Sequence, residues 1–265
     1  MTERTTQPSP VIQGLWVGSA LSTLERLSLA SFMRHRHAYH LYVYDDLEVP
    51  KGVTLRDANE ILPRQAVFKD RALESFANFS DIFRYRLLLE RGGFWADMDT
   101  ICLRPFDFPQ DYVFAMERTQ EGTEERIQYG PAWVCGGVIK APAGCEIIQY
   151  LYEASLERAA GNYEWWELGP PLITAAVSRF GLSRFVEPAA TFVPLDWWAW
   201  QNILSDDPVV QQEVMAALAR PAHAVHLWNS MWTRAGLGKD AAYPSACFYE
   251  QLKRRYLSEE GARAA

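Results

Sequence analysis

The chain has 265 residues, 49% of them apolar, with a formal net charge of -7 and a pI near 5.3. That acidic balance argues against a protein held mainly by nucleic-acid phosphates, which needs a basic field, so no nucleic-acid partner is expected. A phosphate bound here is expected to come with a cation. The apolar content supports one α/β domain over residues 11–258, between a disordered N-terminal tail at 1–10 and a C-terminal tail at 259–265. No apolar run reaches the roughly 20 residues of a membrane span. The polar first ten residues lack a signal-peptide core, so a soluble, cytoplasmic protein is expected. Cys102, Cys135, Cys145 and Cys247 match no zinc or redox spacing and read as free thiols of a reducing compartment.

Residues 11–17 and 38–44 are β-rich, and 21–35 carries apolar residues at helical spacing, which predicts a strand–helix–strand unit. A third strand is predicted at 53–55. This alternation points to a mostly parallel sheet with ligands at the carboxyl ends of its strands. Phe79, Ile82, Phe83, Leu87 and Leu89 follow a helical period over 78–91, with Gly92 and Gly93 as the stop. Over 94–100, alternation puts Trp95, Asp97 and Asp99 on one strand face. Strands at 112–117 and 133–140, helices at 146–159 and 171–180, and a basic surface helix at 249–256 complete the reading. No internal repeat or low-complexity linker is visible.

Asp97 and Asp99 are the strongest chemical signal. Two anions so close need a cation, and hard oxygen ligands suit Mn²⁺ or Mg²⁺ with positions left open for substrate phosphate. They are too close together to flank a glycosidic bond as glycosidase carboxylates do. Asp81 and Arg84 share a helix face, as an intrahelical pair or as ligand-binding groups. The ten tryptophans include Trp165 and Trp166, then Trp197, Trp198 and Trp200, which read as core or as a sugar platform.

The stretch Ser80-Asp81-Ile82-Phe83-Arg84-Tyr85-Arg86-Leu87-Leu88-Leu89-Glu90-Arg91-Gly92-Gly93-Phe94-Trp95-Ala96-Asp97-Met98-Asp99 closely resembles the sugar-binding signature of the family 32 glycosyltransferases. That group includes the yeast initiating mannosyltransferases, the animal α-1,4-galactosyltransferases and, more distantly, the clostridial glucosylating toxins. In the same order, Gln13-Gly14-Leu15-Trp16-Val17-Gly18 resembles the first strand of the family, and Cys135-Gly136-Gly137-Val138-Ile139-Lys140-Ala141-Pro142 the strand behind the sugar pocket. An asparagine is usual near Gly136. Leu168-Gly169-Pro170-Pro171-Leu172-Ile173-Thr174 is similar to the Gly-Pro helix start, and His226-Leu227-Trp228-Asn229-Ser230-Met231-Trp232 to the closing segment of the α-1,4-galactosyltransferases.

The resemblance implies a GT-A type fold, with a Rossmann-like, mostly parallel central sheet flanked by helices and a small helical or loop acceptor lobe. It implies a metal-dependent, retaining transfer of a hexose from a nucleoside-diphosphate sugar, with a UDP-sugar, UDP-galactose in particular, as donor. Asp97 would contact donor and metal, Asp99 would ligate Mn²⁺ or Mg²⁺, and His226 would be the third ligand. Trp16 would stack on the base, Asp81 would take ribose or sugar hydroxyls, and Arg84 would lie beside the diphosphate. Ser230 and Trp232 would close over the phosphates, and Gly93, Gly137, Gly169 and Pro170 would line the donor. Glu167 reads first as a helix N-terminal charge and second as a candidate carboxylate near the anomeric carbon. The implied acceptor is a carbohydrate or lipid-linked oligosaccharide in bacterial surface polysaccharide or lipopolysaccharide synthesis, with weak contact of Lys253, Arg254 and Arg255 to the inner membrane face as a further reading. A nucleotide-sugar hydrolase and a non-catalytic nucleotide-sugar-binding module are the alternatives.

Overall fold

The computed structural model describes residues 10–70, 74–119, 132–161, 167–219 and 221–258. Strand β1 (Ile12–Trp16), helix α1 (Thr23–Arg34) and strand β2 (Tyr39–Val43) form the expected unit, the strands parallel from Ile12 opposite Tyr39 to Trp16 opposite Val43. Glu25 caps the start of α1 by accepting the Ser22 N–H at 2.8 Å, and it also pairs with Lys239 at 2.8 Å. Strand β3 (Thr54–Asp57) adds to β2 with exposed side chains, slightly beyond its predicted place.

Helix α2 (Ala77–Arg91) ends where Gly92 and Gly93 take φ of +61 and +85, a conformation that side chains resist. Strand β4 (Gly93–Ala96) follows directly, parallel to β1. The single strand expected over 94–100 breaks after Ala96. Residues 97–99 form a turn in which the Thr100 N–H donates to the Asp97 carbonyl at 3.0 Å, and the chain continues as β5 (Thr100–Cys102) outside the main sheet.

Strands β6 (Val113–Arg118) and β7 (Ala132–Ala141) are antiparallel, and β7 also runs antiparallel to β4. Helices α3 (Glu146–Ala159) and α4 (Pro170–Arg179) follow, then β8 (Val186–Glu187), α5 (Ala189–Phe192) and α6 (Pro208–Ala217). Strand β9 (Ala224–His226) pairs with β5, placing His226 opposite Thr100. Helices α7 (Asn229–Arg234) and α8 (Phe248–Leu257) end the described chain.

The main sheet has the order β3-β2-β1-β4-β7-β6-β8, and β7 alone runs against its neighbours. Side chains of α2, α3 and α4 bury one face, Phe83, Ile148 and Ile173 among them, while α1 and α5 cover the other through Phe32 and Phe192. This is the mostly parallel α/β architecture that the resemblance implies. Helix α8 is amphipathic rather than wholly superficial: Phe248, Tyr249, Leu252 and Tyr256 are buried and share a core with Leu24 and Leu27 of α1. Among the described residues, no helix is long and apolar enough to cross a membrane.

The turn between α1 and β2 depends on a buried imidazole. His37 is 1% exposed, its Nδ1 lies 3.1 Å from the Pro10 carbonyl, and its Nε2 accepts the Phe106 N–H at 2.9 Å. These roles require the neutral ring, and burial holds its pKa below the ordinary 6.5, against the pull of the Pro10 carbonyl. Below pH 6.5 the unfolded chain therefore binds a proton that the folded chain resists, so the stability supplied by His37 is present above that pH and lost as pH falls. Thermal unfolding followed from about pH 8 to about pH 5 is expected to decline less steeply for His37→Gln than for the parent chain.

Candidate functional site

A cleft of about 440 Å³ opens at the carboxyl edge of β1 and β4, within the usual range for ligand sites. The sheet grows in one direction from β1 through β2 and in the other through β4, and such a switch point leaves a crevice between the following loops. The walls are Leu15, Trp16 and Val17 from β1 and the residue after it, residues 74–77 at the entry to α2, Ser80, Asp81 and Arg84 of α2, the 97–99 turn, and a C-terminal segment bearing His226, Asn229, Ser230, Thr233 and Arg234.

Asp97, Asp99 and His226 each bring a potential ligand atom within 4.8 Å of the others. His226 Nε2 lies 3.0 Å from Asp99 Oδ1, and the Asn229 N–H donates to Asp99 Oδ2 at 2.8 Å. Asp97 Oδ1 accepts from Trp95 Nε1 at 2.7 Å and from Arg84 Nη1 at 3.2 Å. Arg84 is 2% exposed; it also donates to the Gly136 carbonyl at 2.7 Å and pairs with Asp81. This buried guanidinium ties α2, the 97–99 turn and β7 together.

The charges are strongly biased by their surroundings. Burial pushes Asp97 above the usual carboxylate range despite Arg84, and neighbouring Asp99 pushes the same way. Burial also opposes the charge on Asp99, but His226 and the hydrogen bonds from His226 and Asn229 hold it below its ordinary value. His226 is desolvated, yet the Asp99 carboxylate raises it to about 9. Burial lifts Asp81 to about 6 even with Arg84 beside it.

Two local features shape the pocket. A Cβ at Gly136 would collide with the Arg84 guanidinium, so a side chain such as asparagine there would require Arg84 to move. Trp228 adopts φ 54 and ψ 55, a left-handed conformation costly for a bulky residue. Its ring packs against His226 at 4.3 Å, and it leads directly into Asn229, whose N–H reaches Asp99.

Residues 26–118 match the family model described as the glycosyltransferase sugar-binding region containing the DXD motif. Over this stretch, about a third of the chain, the protein is similar to glycosyltransferases. No curated protein matches the chain. Among solved structures, PaToxG glycosyltransferase is similar at 16% identity over 96% of this chain and 88% of that one, with a TM-score of 0.47. The apo structure of the WbbM bifunctional glycosyltransferase is similar at 13% identity over 97% of this chain and 53% of that one, with a TM-score of 0.42.

Strand β1, residues 26–118 and the C-terminal segment together bring Trp16, Asp81, Arg84, Asp97, Asp99, His226 and Ser230 onto one cleft. Gly137 backs it: its carbonyl accepts the Asp97 N–H at 2.9 Å, and an added Cβ would lie 3.9 Å from Asp97 Oδ2 and from His226 Cδ2. Other expected residues lie away from the cleft lining. Trp232 is fully buried against Trp200 and Tyr249, its Nε1 donating to the Leu227 carbonyl at 2.8 Å, so it supports α7 while Ser230, Thr233 and Arg234 face the cleft. Gly93 starts β4 at the end away from Asp97, where a positive φ is its requirement. Glu167, Gly169 and Pro170 do not line the cleft; the Leu168 carbonyl among them is taken by Tyr85 Oη at 2.7 Å, and that of Glu167 by Arg158 at 3.1 Å. Trp165 and Trp166 lie outside the described residues.

Sequence reasoning missed several groups of the cleft. Phe76 faces the cleft near the base-stacking candidate Trp16, and Thr233 adds a hydroxyl. Asn229 Oδ1 and His226 Nδ1 are buried without a hydrogen-bond partner among the described residues. Glu117, near the end of β6, is pushed up to about 7 by burial, with His226 pulling down and Asp97 and Asp196 pushing up. A carboxylate near the carboxyl end of a parallel strand was a signal that could have drawn attention to it.

Proposed function

We propose that the chain is a metal-dependent, retaining glycosyltransferase that moves a hexose from a UDP-sugar, UDP-galactose by preference, to a carbohydrate or lipid-linked oligosaccharide. The observation that carries this reading is the convergence of Asp97, Asp99 and His226 within 4.8 Å at the wall of a cleft that also presents Trp16 and Phe76. The donor set suits Mn²⁺ or Mg²⁺: two carboxylates lie close together, one of them raised by burial and further by the other's charge, and an imidazole completes the group. A bound divalent cation supplies Lewis-acid stabilisation of the departing diphosphate.

The protein's own residues divide the remaining work. Trp16 and Phe76 hold the base, and Asp81 accepts hydrogen bonds from ribose or sugar hydroxyls. Arg84, its guanidinium engaged by Asp81, Asp97 and Gly136, acts mainly by fixing both carboxylates in place. Ser230, Thr233 and the Asn229 side chain offer polar groups to the phosphates where negative charge grows. Retention, a bacterial cytoplasmic setting, surface polysaccharide synthesis and contact of Lys253, Arg254 and Arg255 with the inner membrane face follow from the family resemblance.

Incubation with UDP-galactose and Mn²⁺, with and without a panel of oligosaccharide acceptors, tests the reading. A galactosylated product with retained configuration is expected. Free galactose formed at one rate regardless of acceptor would instead support a hydrolase, and bound but unchanged donor would support a binding module.

A further inference from the structure

Helix α7 is anchored on one side and turns the other to the cleft. Its anchor is Trp232, fully buried against Trp200 and Tyr249. Ser230 and Arg234 lie about 200° round the helix from Trp232 and within about 40° of each other, and both line the cleft. The first turn abuts the acidic cluster, because the Asn229 N–H donates to Asp99 Oδ2 at 2.8 Å. Arg234 is one turn further along, about 6 Å, and helical side chains lean back over the preceding turn, here toward Ser230 and the cluster. The backbone beyond it is closed: Gly236, at φ +64, donates its N–H to the Thr233 carbonyl at 3.1 Å, and Leu237 donates to that of Trp232 at 3.0 Å. Arg234 is therefore presented from a fixed helix.

The cleft is rich in carboxylates. Glu74, Asp81, Asp97 and Asp99 line it, whereas Arg84 and Arg234 are the permanent cations of its lining. Arg84 is almost fully buried and is held by Asp81, Asp97 and the Gly136 carbonyl, so its charge is spent within the protein. A divalent cation at Asp97 and Asp99, together with Arg84, would balance Asp81, Asp97 and Asp99 and leave no surplus for an anionic ligand. An anion drawn into such a site needs a further positive charge beside it. Arg234 is placed to supply it.

We propose that Arg234 is the side chain that meets the diphosphate of the nucleotide sugar, the role that the family resemblance implies for Arg84. The assignment rests on the glycosyltransferase reading. A guanidinium presents paired N–H donors that match two phosphate oxygens. Free UDP carries more negative charge than the same diphosphate esterified to a sugar, so the contact strengthens as the sugar departs. Calorimetry of UDP with Mn²⁺ over a range of KCl concentrations, on the parent and Arg234→Gln, tests the assignment. At low salt the variant is expected to bind UDP roughly tenfold more weakly, the weight of one charge-assisted contact. Its affinity is also expected to fall less steeply with KCl, since a pair that salt screens has been removed. The Tm without ligand is expected to stay within about 2 °C of the parent's. UDP affinity within about twofold of the parent's, or a parallel salt dependence, overturns the proposal. A larger fall in Tm together with lost UDP binding assigns Arg234 to holding α7 in place and overturns it too. If the parent itself binds no UDP with Mn²⁺, the glycosyltransferase reading fails and takes this proposal with it, whereas a parent and a variant that bind UDP alike sink this assignment alone.

Discussion

Replacing Asp99 by asparagine is expected to lower the rate of sugar transfer on the order of a thousandfold, because several kcal/mol of leaving-group stabilisation depend on the cation it would hold. Asp99 is the best-prepared ligand of the three. His226 and the Asn229 N–H keep it ionised and orient both oxygens, and a cation would take the place of the His226 proton between the two side chains. Asparagine keeps the size of the side chain and one acceptor oxygen but removes the charge. The variant should therefore remain folded by circular dichroism while raising the Mn²⁺ concentration needed for half-maximal rate. A variant within about tenfold of the parent at the same Mn²⁺ would contradict the proposed role.

Arg84→Met is expected to produce the largest loss of stability, about 3–5 kcal/mol, or a fall in Tm on the order of 10 °C. Arg84 is 2% exposed and holds Asp81, Asp97 and the Gly136 carbonyl at once. Methionine fills much of the volume yet leaves two partly buried carboxylates without their cation. Asp81, already raised to about 6, should move further up, so the variant should recover part of its stability as pH falls and that carboxyl protonates. Arg84→Lys should rescue little, since a single ammonium cannot span three acceptors in the plane of a guanidinium fork. Thermal unfolding at two pH values checks both statements; a Tm change under about 3 °C for Arg84→Met would mean that the pairings contribute little.

The parts of this arrangement differ in how far the sequence reveals them. The β1–α1–β2 unit and α2 follow from apolar periodicity, and the glycine stop before β4 follows from the need for positive φ at Gly92 and Gly93. Strand direction is not encoded in periodicity, so the antiparallel course of β7 had no signal in the residue pattern. The alternation Trp95, Asp97, Asp99 passes unchanged from strand into turn and conceals the break after Ala96. Strands β5 and β9 have three residues each, too short for a periodic pattern, and yet their pairing carries His226 to Asp99.

Ser230 and Trp232 are both expected to close over the phosphates, but α7 turns them about 200° apart. One points to the cleft and the other into the core. Glu117 is far in sequence from the acidic cluster, and its place near the carboxyl end of β6 was its one signal. Asp97, Asp99, Asp81 and Arg84 were legible because they are close in sequence and their chemistry is unusual for an apolar setting. The groups drawn from 226–234 were legible only through resemblance.

The central claim is that the Asp97, Asp99 and His226 cluster holds a divalent cation through which a nucleotide sugar is bound. Thermal unfolding with UDP-galactose, with and without Mn²⁺, measures it directly, since a ligand selective for the folded state raises Tm. The account predicts a rise with the nucleotide sugar and Mn²⁺ together that is far larger than with either alone. An equal rise with UDP-galactose in the presence of a chelator would contradict it.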